Sequence, residues 1–320
     1  MLRYIDYERV YTVAKRLFVF VPTLVAPFTL IYDAPFGRFS TPDSLFAIDG
    51  IKAWIVMELP SPASFLTTLA IHPFSRNSFP LPPAFAPQTL LAALYLIHYL
   101  NRAIISPLRT PSRAPSHLLV VLASYCFNIP NGFLLASYLS ASSTSIYLQN
   151  AFASPRFWLG VTMWALGFVG NVVHDEILLD IRRKAKAKGK GREVTDGKKS
   201  PSVGEHYAIP QGLLYQYISY PNYFCEWIEW LGFAIAASPS PDLRLLPSVA
   251  TFFAAITSRS FGDAAALLLP VADFFSPPWA FFTSEVLLML PRAVRGHQWY
   301  LRRFGEAYPR ERRVIIPWLL

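Results

Sequence analysis

Long apolar segments, each about as long as a membrane-crossing helix, constrain this chain more than any other feature. A helix needs about 20 residues to cross the ~30 Å hydrocarbon layer of a bilayer. Seven segments of this kind are predicted: 17–32, 47–71, 84–106, 117–140, 156–181, 221–237 and 274–294. The predicted fold class is therefore all-α, an integral membrane bundle of about seven transmembrane helices.

The amino-acid composition excludes an ordinary soluble domain. Hydrophobic residues make up 53% of the 320 positions and charged residues only 15%, whereas soluble domains carry about 25% charged residues. Aromatic residues reach 15%, which suits a chain that crosses the membrane interface several times. The first apolar run lacks a small-residue cleavage site, so we interpret it as a retained span.

Basic residues are concentrated in a few loops, and this asymmetry predicts the orientation of the chain. Residues 182–199 contain nine basic and two acidic side chains, and the carboxy-terminal tail is also basic. The loop 106–116 carries Arg109 and Arg113 without an acid, whereas 140–155 carries no charge. An odd number of spans with the amino terminus outside puts every basic loop on the cytosolic side, as the positive-inside rule requires. We therefore predict a multi-pass protein with a cytosolic carboxy terminus and no nucleic-acid partner.

Two segments do not fit the simple alternation of spans and short loops. Residues 239–273 are apolar but are interrupted by Arg259 and Asp263. We interpret them as a lumenal insertion, re-entrant or interfacial, because an extra span would move the basic tail to the other side. Residues 184–204 are rich in lysine and glycine, which predicts a flexible cytosolic loop.

Polar side chains recur on one face of several predicted spans. Ionisable groups inside a membrane are costly and therefore indicate function by default. At helical spacing these residues share a face of their helix. They are Tyr95, His98, Tyr99 and Arg102 on the third span, Asn171, Asp175 and Arg182 on the fifth, and Asn222, Glu226, Glu229 and Trp230 on the sixth. With Glu58 on the second span, they predict one polar cavity in the bundle, although ion pairs that only hold helices together are the alternative.

Signatures of other chemistries are missing from the sequence. His98, His206 and His297 are isolated from one another, so we interpret them as hydrogen-bonding or packing residues. No cysteine or histidine spacing predicts a metal site, and no glycine-rich turn follows a strand as in a Rossmann domain. We predict no metal.

Four motifs carry a resemblance to a known family. They are NVVHDEILLDIR at 171–182, YAIPQGLLYQYIS at 207–219, PNYFCEWIEWLGF at 221–233, and WYLRRF at 299–304 followed by YP at 308–309 and IIP at 315–317. In order and spacing the chain resembles the carboxy-terminal domain of steroid 5α-reductases. The likeness extends more weakly to ELPS at 58–61 and HYLNR at 98–102.

The resemblance implies a cofactor, a division of the bundle and a set of site residues. NADPH would lie in the cytosolic half of one integrated bundle, with residues 1–155 carrying the substrate-activating groups and residues 156–320 the NADPH site. The positions that match cofactor contacts are Arg113, Asn171, Asp175, Arg182, Tyr207, Asn222, Glu226, Trp230 and Tyr300. The positions that match the substrate-activating pair are Glu58 and Tyr99.

The reaction that the resemblance implies is reduction of a carbon–carbon double bond conjugated to a carbonyl. An enone accepts hydride at its β-carbon only if the charge growing on the carbonyl oxygen is stabilised, which a tyrosine hydroxyl and a carboxyl group can do. The predicted substrate is a 3-oxo-Δ4 steroid or a similar lipid enone, handled by a monomer in the endoplasmic reticulum membrane. Alternative substrates are a polyprenal or a trans-2-enoyl thioester. Alternative functions are an S-adenosylmethionine-dependent membrane methyltransferase and a non-catalytic scaffold.

Three positions depart from the family pattern. Met57 stands where the family usually has a glutamine, Ala208 where many members have a basic residue, and Gly296 where a histidine is usual. Met57 removes one group that could polarise a ketone, and Ala208 removes one contact to phosphate. These departures bear on the substrate and on phosphate recognition rather than on the fold.

Overall fold

The computed structural model describes residues 6–71, 73–74, 83–196, 207–242 and 271–320, without the side chains of 188–196. Its helices are α1 (Tyr7–Thr29), α2 (Gly50–Glu58), α3 (Pro60–Ile71), α4 (Pro87–Tyr99), α5 (Ser106–Arg109), α6 (Leu118–Ser140), α7 (Ser142–Tyr147), α8 (Pro155–Asp196), α9 (Pro221–Ala237) and α10 (Pro277–Phe304). A π-helical turn, Leu100–Ile105, joins α4 to α5. Two short strands, β1 (Ala47–Ile48) and β2 (Ser116–His117), pair antiparallel.

Five helical stretches within the described ranges are long and apolar enough to cross a membrane. They are Tyr7–Thr29, Gly50–Ile71, Pro87–Arg109, Leu118–Ser140 and Pro155–Ala187. These stretches confirm the all-α multi-pass bundle. Helix α9 has only 17 residues and α10 carries four arginines, so the count of seven spans stays a prediction.

Two boundaries differ from the sequence-based expectation. Helix α1 begins at Tyr7, ten residues before the predicted start of the first span. Helix α8 continues to Asp196, so the loop predicted for 184–204 was wrong over its first part. The sequence there alternates lysine with alanine, both good helix formers, and Lys184 pairs with Asp180 one turn earlier at 3.0 Å. The predicted insertion 239–273 lies mostly outside the described residues.

The largest buried cluster lies where helices α1, α3, α4, α6, α9 and α10 meet. Its centre is aromatic: Trp230 lies 4.5 Å from Phe281 between ring centroids, and Phe65 stacks on Tyr95 at 4.2 Å. Both tyrosine and tryptophan rings bury a large apolar area while keeping one polar atom. The core therefore brings polar groups from several helices into the interior of the bundle.

Helices α8 and α9 approach so closely that glycine is needed at the contact. A Cβ atom at Gly160 would lie 2.5 Å from the carbonyl oxygen of Gly232, and a Cβ at Gly232 would lie 2.5 Å from that of Gly160. A Cβ at Gly167 would overlap the backbone nitrogen of Glu229 and lie 2.6 Å from the carbonyl oxygen of Cys225. Small residues of this kind let membrane helices pack backbone against backbone. The polar faces of the two helices are therefore held at a fixed separation.

A Gly167→Ala substitution should destabilise the protein. The added methyl group meets the α9 backbone, which cannot rotate away, and overpacking of this kind costs about 1–3 kcal/mol. We expect the thermal unfolding midpoint in detergent to fall by several degrees. Leu166→Ala is the matched control, since Leu166 is exposed on the outer face of α8. An unchanged midpoint for Gly167→Ala would show that the helices are not in close contact there.

Candidate functional site

A cavity lies between helices α8 and α10 and the loops that precede α2, α6 and α9. Six residues that the sequence analysis assigned to a cofactor line it: Arg113, Asp175, Arg182, Tyr207, Asn222 and Tyr300. The first and last of these residues, Arg113 and Tyr300, are 187 positions apart in the sequence. The fold thus gathers these six positions around one space.

The cavity is strongly positive. Arg38, Arg102, Arg113, Arg182 and Arg292 line it, and Asp175 is the one carboxylate among its lining residues in the described chain. Burial, followed by the positive charges of Arg182 and Arg102, lowers the pKa of the Arg113 guanidinium to about 9. Such crowding of like charges is relieved when an anion binds between them. The residues present therefore fit a polyanionic ligand such as a dinucleotide with several phosphates.

The wall between α8 and α9 is a ladder of amide and carboxyl groups. Asn222 donates from Nδ2 to Asp175 Oδ1 at 2.9 Å. One turn deeper, Asn171 donates from Nδ2 to Glu226 Oε2 and to the backbone oxygen of Asn222, both at 3.0 Å. Asn171 and Glu226 are buried and lie behind the residues that line the cavity. The helical spacing read from the sequence is therefore realised as contacts between the two helices.

Arg102 connects this wall to the second helix of the chain. Its Nη1 lies 3.4 Å from Glu226 Oε2, and its Nε lies 3.5 Å from Glu58 Oε1. The Trp54 indole nitrogen donates to the backbone oxygen of Arg102 at 3.2 Å, and the Trp54 ring lies 4.8 Å from its guanidinium carbon. The Arg102 guanidinium therefore lies within ion-pairing distance of two carboxyl groups. Glu285 is close enough for its charge to act on Arg102 and Glu226.

His98 and Trp230 form a buried layer next to this cluster. His98 Nδ1 lies 2.7 Å from Glu229 Oε1, and its ring centroid lies 4.6 Å from that of Trp230. Trp230 is buried and does not line the cavity, unlike most of the predicted cofactor residues. His98 is therefore a hydrogen-bonding residue, as predicted for a histidine that is isolated in the sequence.

Tyr99 belongs to a hydrogen-bonded group that joins α3, α4 and α6. Asn131 Nδ2 lies 2.8 Å from the Tyr99 hydroxyl oxygen, 3.0 Å from Ser61 Oγ and 3.3 Å from the Tyr95 hydroxyl. All four residues are buried. An amide nitrogen can only donate, and its two hydrogens are shared among three hydroxyl oxygens, of which that of Tyr99 is the nearest. Glu58 is close enough for its charge to act on Tyr99.

Sequence reasoning missed four residues of this region: Arg38, Asn131, Glu285 and Arg292. Asn131 and Glu285 did carry a signal, since each is a polar residue inside an otherwise apolar span. Arg38 carried none, because it lies in a loop far from the motifs. Its position beside Tyr207, Trp299 and Tyr300 follows only from the tertiary fold.

The three departures noted in the sequence occupy different places. Met57 is buried, and its backbone oxygen accepts a hydrogen bond from Asn128 Nδ2 at 2.7 Å. Ala208 is exposed beside Tyr207 at the cavity. Gly296 lies in α10 against Tyr220, and its neighbour His297 places Nδ1 2.6 Å from Ser219 Oγ. Met57 packs instead with Ala53 and Val121.

Comparisons with known proteins agree on one family. The family model described as 3-oxo-5-alpha-steroid 4-dehydrogenase matches residues 114–262 and 269–320. An uncharacterized protein of Schizosaccharomyces pombe is 35% identical over 307 residues, which cover 92% of this chain and 94% of that protein. The 3-oxo-5-alpha-steroid 4-dehydrogenase 1 of Homo sapiens is 30% identical over 284 residues, covering 89% and 85%. The steroid 5-alpha-reductase DET2 of Solanum lycopersicum is 29% identical over 292 residues, covering 90% and 88%.

Proposed function

Since the chain belongs to the 3-oxo-5-alpha-steroid 4-dehydrogenase family and is thus an oxidoreductase acting on CH–CH groups, we propose that it reduces a lipid enone with NADPH. The substrate class is a 3-oxo-Δ4 steroid or a similar conjugated lipid. The single observation that supports a phosphorylated cofactor is the cavity with five arginines and one carboxylate. The names of the relatives support the steroid.

The residues that would hold the cofactor are those of the positive cavity and its polar wall. Arg38, Arg113, Arg182 and Arg292 would bind phosphate oxygens, because guanidinium groups match phosphate in charge and shape. Tyr207, Asn222 and Tyr300 line the same space, as does Asp175. Asn171, Glu226 and Trp230 stand behind the lining residues and would hold the first layer in place. Bound NADPH supplies a hydride for the β-carbon of the substrate.

The groups that would act on the substrate carbonyl are Tyr99 and Glu58. The Tyr99 oxygen lies 2.8 Å from Asn131 Nδ2, and the Tyr99 hydroxyl would donate to the carbonyl oxygen of the enone when the substrate is bound. Charge that grows on that oxygen is then stabilised by a hydrogen bond in a buried setting. Glu58, which lies 3.5 Å from Arg102 Nε, would support this interaction. The α-carbon of the enolate would take a proton from water, so that the overall reaction consumes NADPH and one proton and releases NADP+.

The two halves of the one bundle would have different roles. Residues 1–155 supply the substrate-activating groups, and residues 156–320 supply most of the cofactor site, with Arg38, Arg113 and Arg102 reaching across from the first half. We place the protein, as a monomer, in the endoplasmic reticulum membrane with its carboxy terminus in the cytosol. That orientation puts the basic cavity on the side where NADPH is available.

The direct test is NADPH oxidation by the purified protein in detergent, with and without testosterone or progesterone. We expect oxidation that depends on the steroid and a product heavier by two hydrogens. Polyprenal and a trans-2-enoyl thioester are tested in parallel. NADPH oxidation with one of these, and none with the steroid, would show that the lipid assignment is wrong. Binding of S-adenosylmethionine in the absence of NADPH binding would contradict the proposal altogether.

Substitutions at the α8–α9 wall should weaken cofactor binding before they affect turnover. Asp175→Ala and Asn222→Ala each remove one partner of the 2.9 Å bond at the cavity surface. Both side chains also line the cavity, so each variant would lose a hydrogen bond to the bound cofactor worth about 1–3 kcal/mol, and the Kd for NADPH should rise about 10- to 100-fold. Titration of NADPH by fluorescence measures this directly.

The control for this wall is Glu176→Ala. Glu176 is the next residue on α8 but pairs with Arg109 and Arg183 outside the cavity. Its Kd for NADPH should match that of the wild type. If Asp175→Ala instead kept its affinity and lost turnover at saturating NADPH, the assignment of this wall to the cofactor would be wrong.

A further inference from the structure

Gly296 lies inside α10, where a glycine needs an explanation. Its backbone is helical, and in a helix interior glycine is less favourable than alanine. The space beside it is already taken: a Cβ atom at 296 would overlap the Tyr220 hydroxyl and lie 2.5 Å from Tyr220 Cζ. No side chain fits at 296 while the Tyr220 ring keeps its place.

The Tyr220 ring in turn borders the cavity next to Arg38. The Arg38 guanidinium carbon lies 5.5 Å from the centroid of Tyr220 and 4.6 Å from that of Tyr300, with Trp299 and Tyr207 at 5.0 and 5.8 Å. Aromatic faces attract a guanidinium at such distances. The Tyr220 ring therefore forms one side of an aromatic cage around this arginine.

Within the cage Arg38 is left with a free donor. Its Nη2 lies 3.5 Å from the Tyr300 hydroxyl, whereas its buried Nη1 has no hydrogen-bond partner among the described residues. A buried donor without a partner is costly unless a ligand satisfies it. Since Arg38 lines the cavity, a phosphate oxygen of the ligand is the group that fits.

We propose that Tyr220 is a positioning residue for cofactor phosphate recognition: its ring holds Arg38 toward the cavity, and glycine at 296 is what admits that ring. This inference rests on the proposed NADPH function and adds to it Tyr220 and Gly296, neither of which is among the positions matched to cofactor contacts. Tyr220 acts through Arg38 rather than on the reacting atoms. The pair Tyr220 and Gly296 therefore sets affinity for the cofactor and not the rate of the chemical step.

The test is the Kd for NADPH, with KM and kcat, across a set of single and double variants. Tyr220→Ala and Gly296→Ala should each raise the Kd about tenfold, the size of one well-placed cation–π contact in a desolvated site. Tyr220→Phe keeps the ring and should stay within about twofold of the wild type. A positioning role predicts that the loss appears in the KM and Kd for NADPH, whereas a general loss of folding would lower kcat at saturating NADPH as well.

The double variants distinguish positioning from a merely structural role. Adding Gly296→Ala to Tyr220→Ala should cost nothing more, because the clash is gone. Adding Gly296→Ala to Arg38→Ala should also cost nothing more, because both act through the same guanidinium. The Tyr220→Ala/Gly296→Ala variant also keeps the test available if Gly296→Ala alone does not fold.

Three outcomes would overturn the inference. Wild-type affinity in Gly296→Ala would show that the ring and the glycine are not coupled, and additive losses in the double variants would show that they act separately. In either case NADPH binding by the wild-type protein leaves the proposed function standing. If the wild-type protein does not bind NADPH, the proposed function and this inference fall together.

Discussion

Tyr99→Phe should lower turnover by about 100-fold or more while leaving the Kd for NADPH unchanged. The substitution removes only the hydroxyl, which is the proposed donor to the substrate carbonyl, and loss of one such donor typically costs 10²- to 10³-fold in kcat. Cofactor affinity should persist because Tyr99 does not line the positive cavity. Glu58→Gln should act in the same direction. Single-turnover reduction of the steroid, followed by mass spectrometry, measures the step itself.

The matched control for this prediction is Tyr95→Phe. Tyr95 shares the hydrogen-bonded group with Tyr99, since its hydroxyl lies 2.6 Å from Ser61 Oγ and 3.3 Å from Asn131 Nδ2. It should lose much less activity, because its oxygen is not the proposed donor to the substrate. Equal losses at Tyr95 and Tyr99 would mean that the group supports the fold rather than the reaction.

Glu226→Ala should lower both cofactor affinity and turnover. Its carboxyl group accepts from Asn171 at 3.0 Å on the cofactor wall and lies 3.4 Å from Arg102, which also pairs with Glu58. Removing one partner of a buried charge pair costs about 3–5 kcal/mol, and here the loss reaches two neighbouring groups. We expect kcat and the Kd for NADPH each to worsen by more than tenfold, with a lower unfolding midpoint.

This double effect distinguishes Glu226 from its neighbours. Asp175→Ala should affect only the Kd, and Tyr99→Phe only kcat, so Glu226→Ala is the variant in which both change. Steady-state kinetics with NADPH and substrate varied separately would resolve the two. A change confined to one parameter would show that the contact between Arg102 and Glu226 does not connect the two parts of the site.

The membrane bundle and the polar helix faces could be predicted because both follow from local sequence. Apolar length fixes a span, and a spacing of four residues fixes that Asn171 and Asp175 share a face, so their approach to Asn222 and Glu226 needed only that α8 and α9 be neighbours. Arg38 could not be predicted, because nothing local in a loop says which cavity the side chain will enter. The extension of α8 was missed because its lysine-rich composition is common to loops and to solvated helices.

Asn131 illustrates a second kind of limit on sequence reasoning. A polar residue in an apolar span was visible, but its role depends on the three oxygens that surround its amide nitrogen. Those oxygens belong to Ser61, Tyr95 and Tyr99, which lie on two other helices. Which hydroxyl keeps a proton to donate is therefore decided by packing between helices and not by the residue itself.

The backbone contact between α8 and α9 also decides which part of the site is able to move. Because glycines at 160, 167 and 232 contact the facing helix, neither helix can slide or separate without losing these contacts. The α8–α9 wall is therefore preorganised, which lowers the cost of ordering it when a ligand binds. Loops form another side of the cavity. There the segments before α2 and α6 are tied together by Ser40 Oγ to Pro115 O at 2.7 Å and by the two-residue strand pair. These two loops carry Arg38 and Arg113, and the contacts between them mean that a displacement of one loop would displace the other.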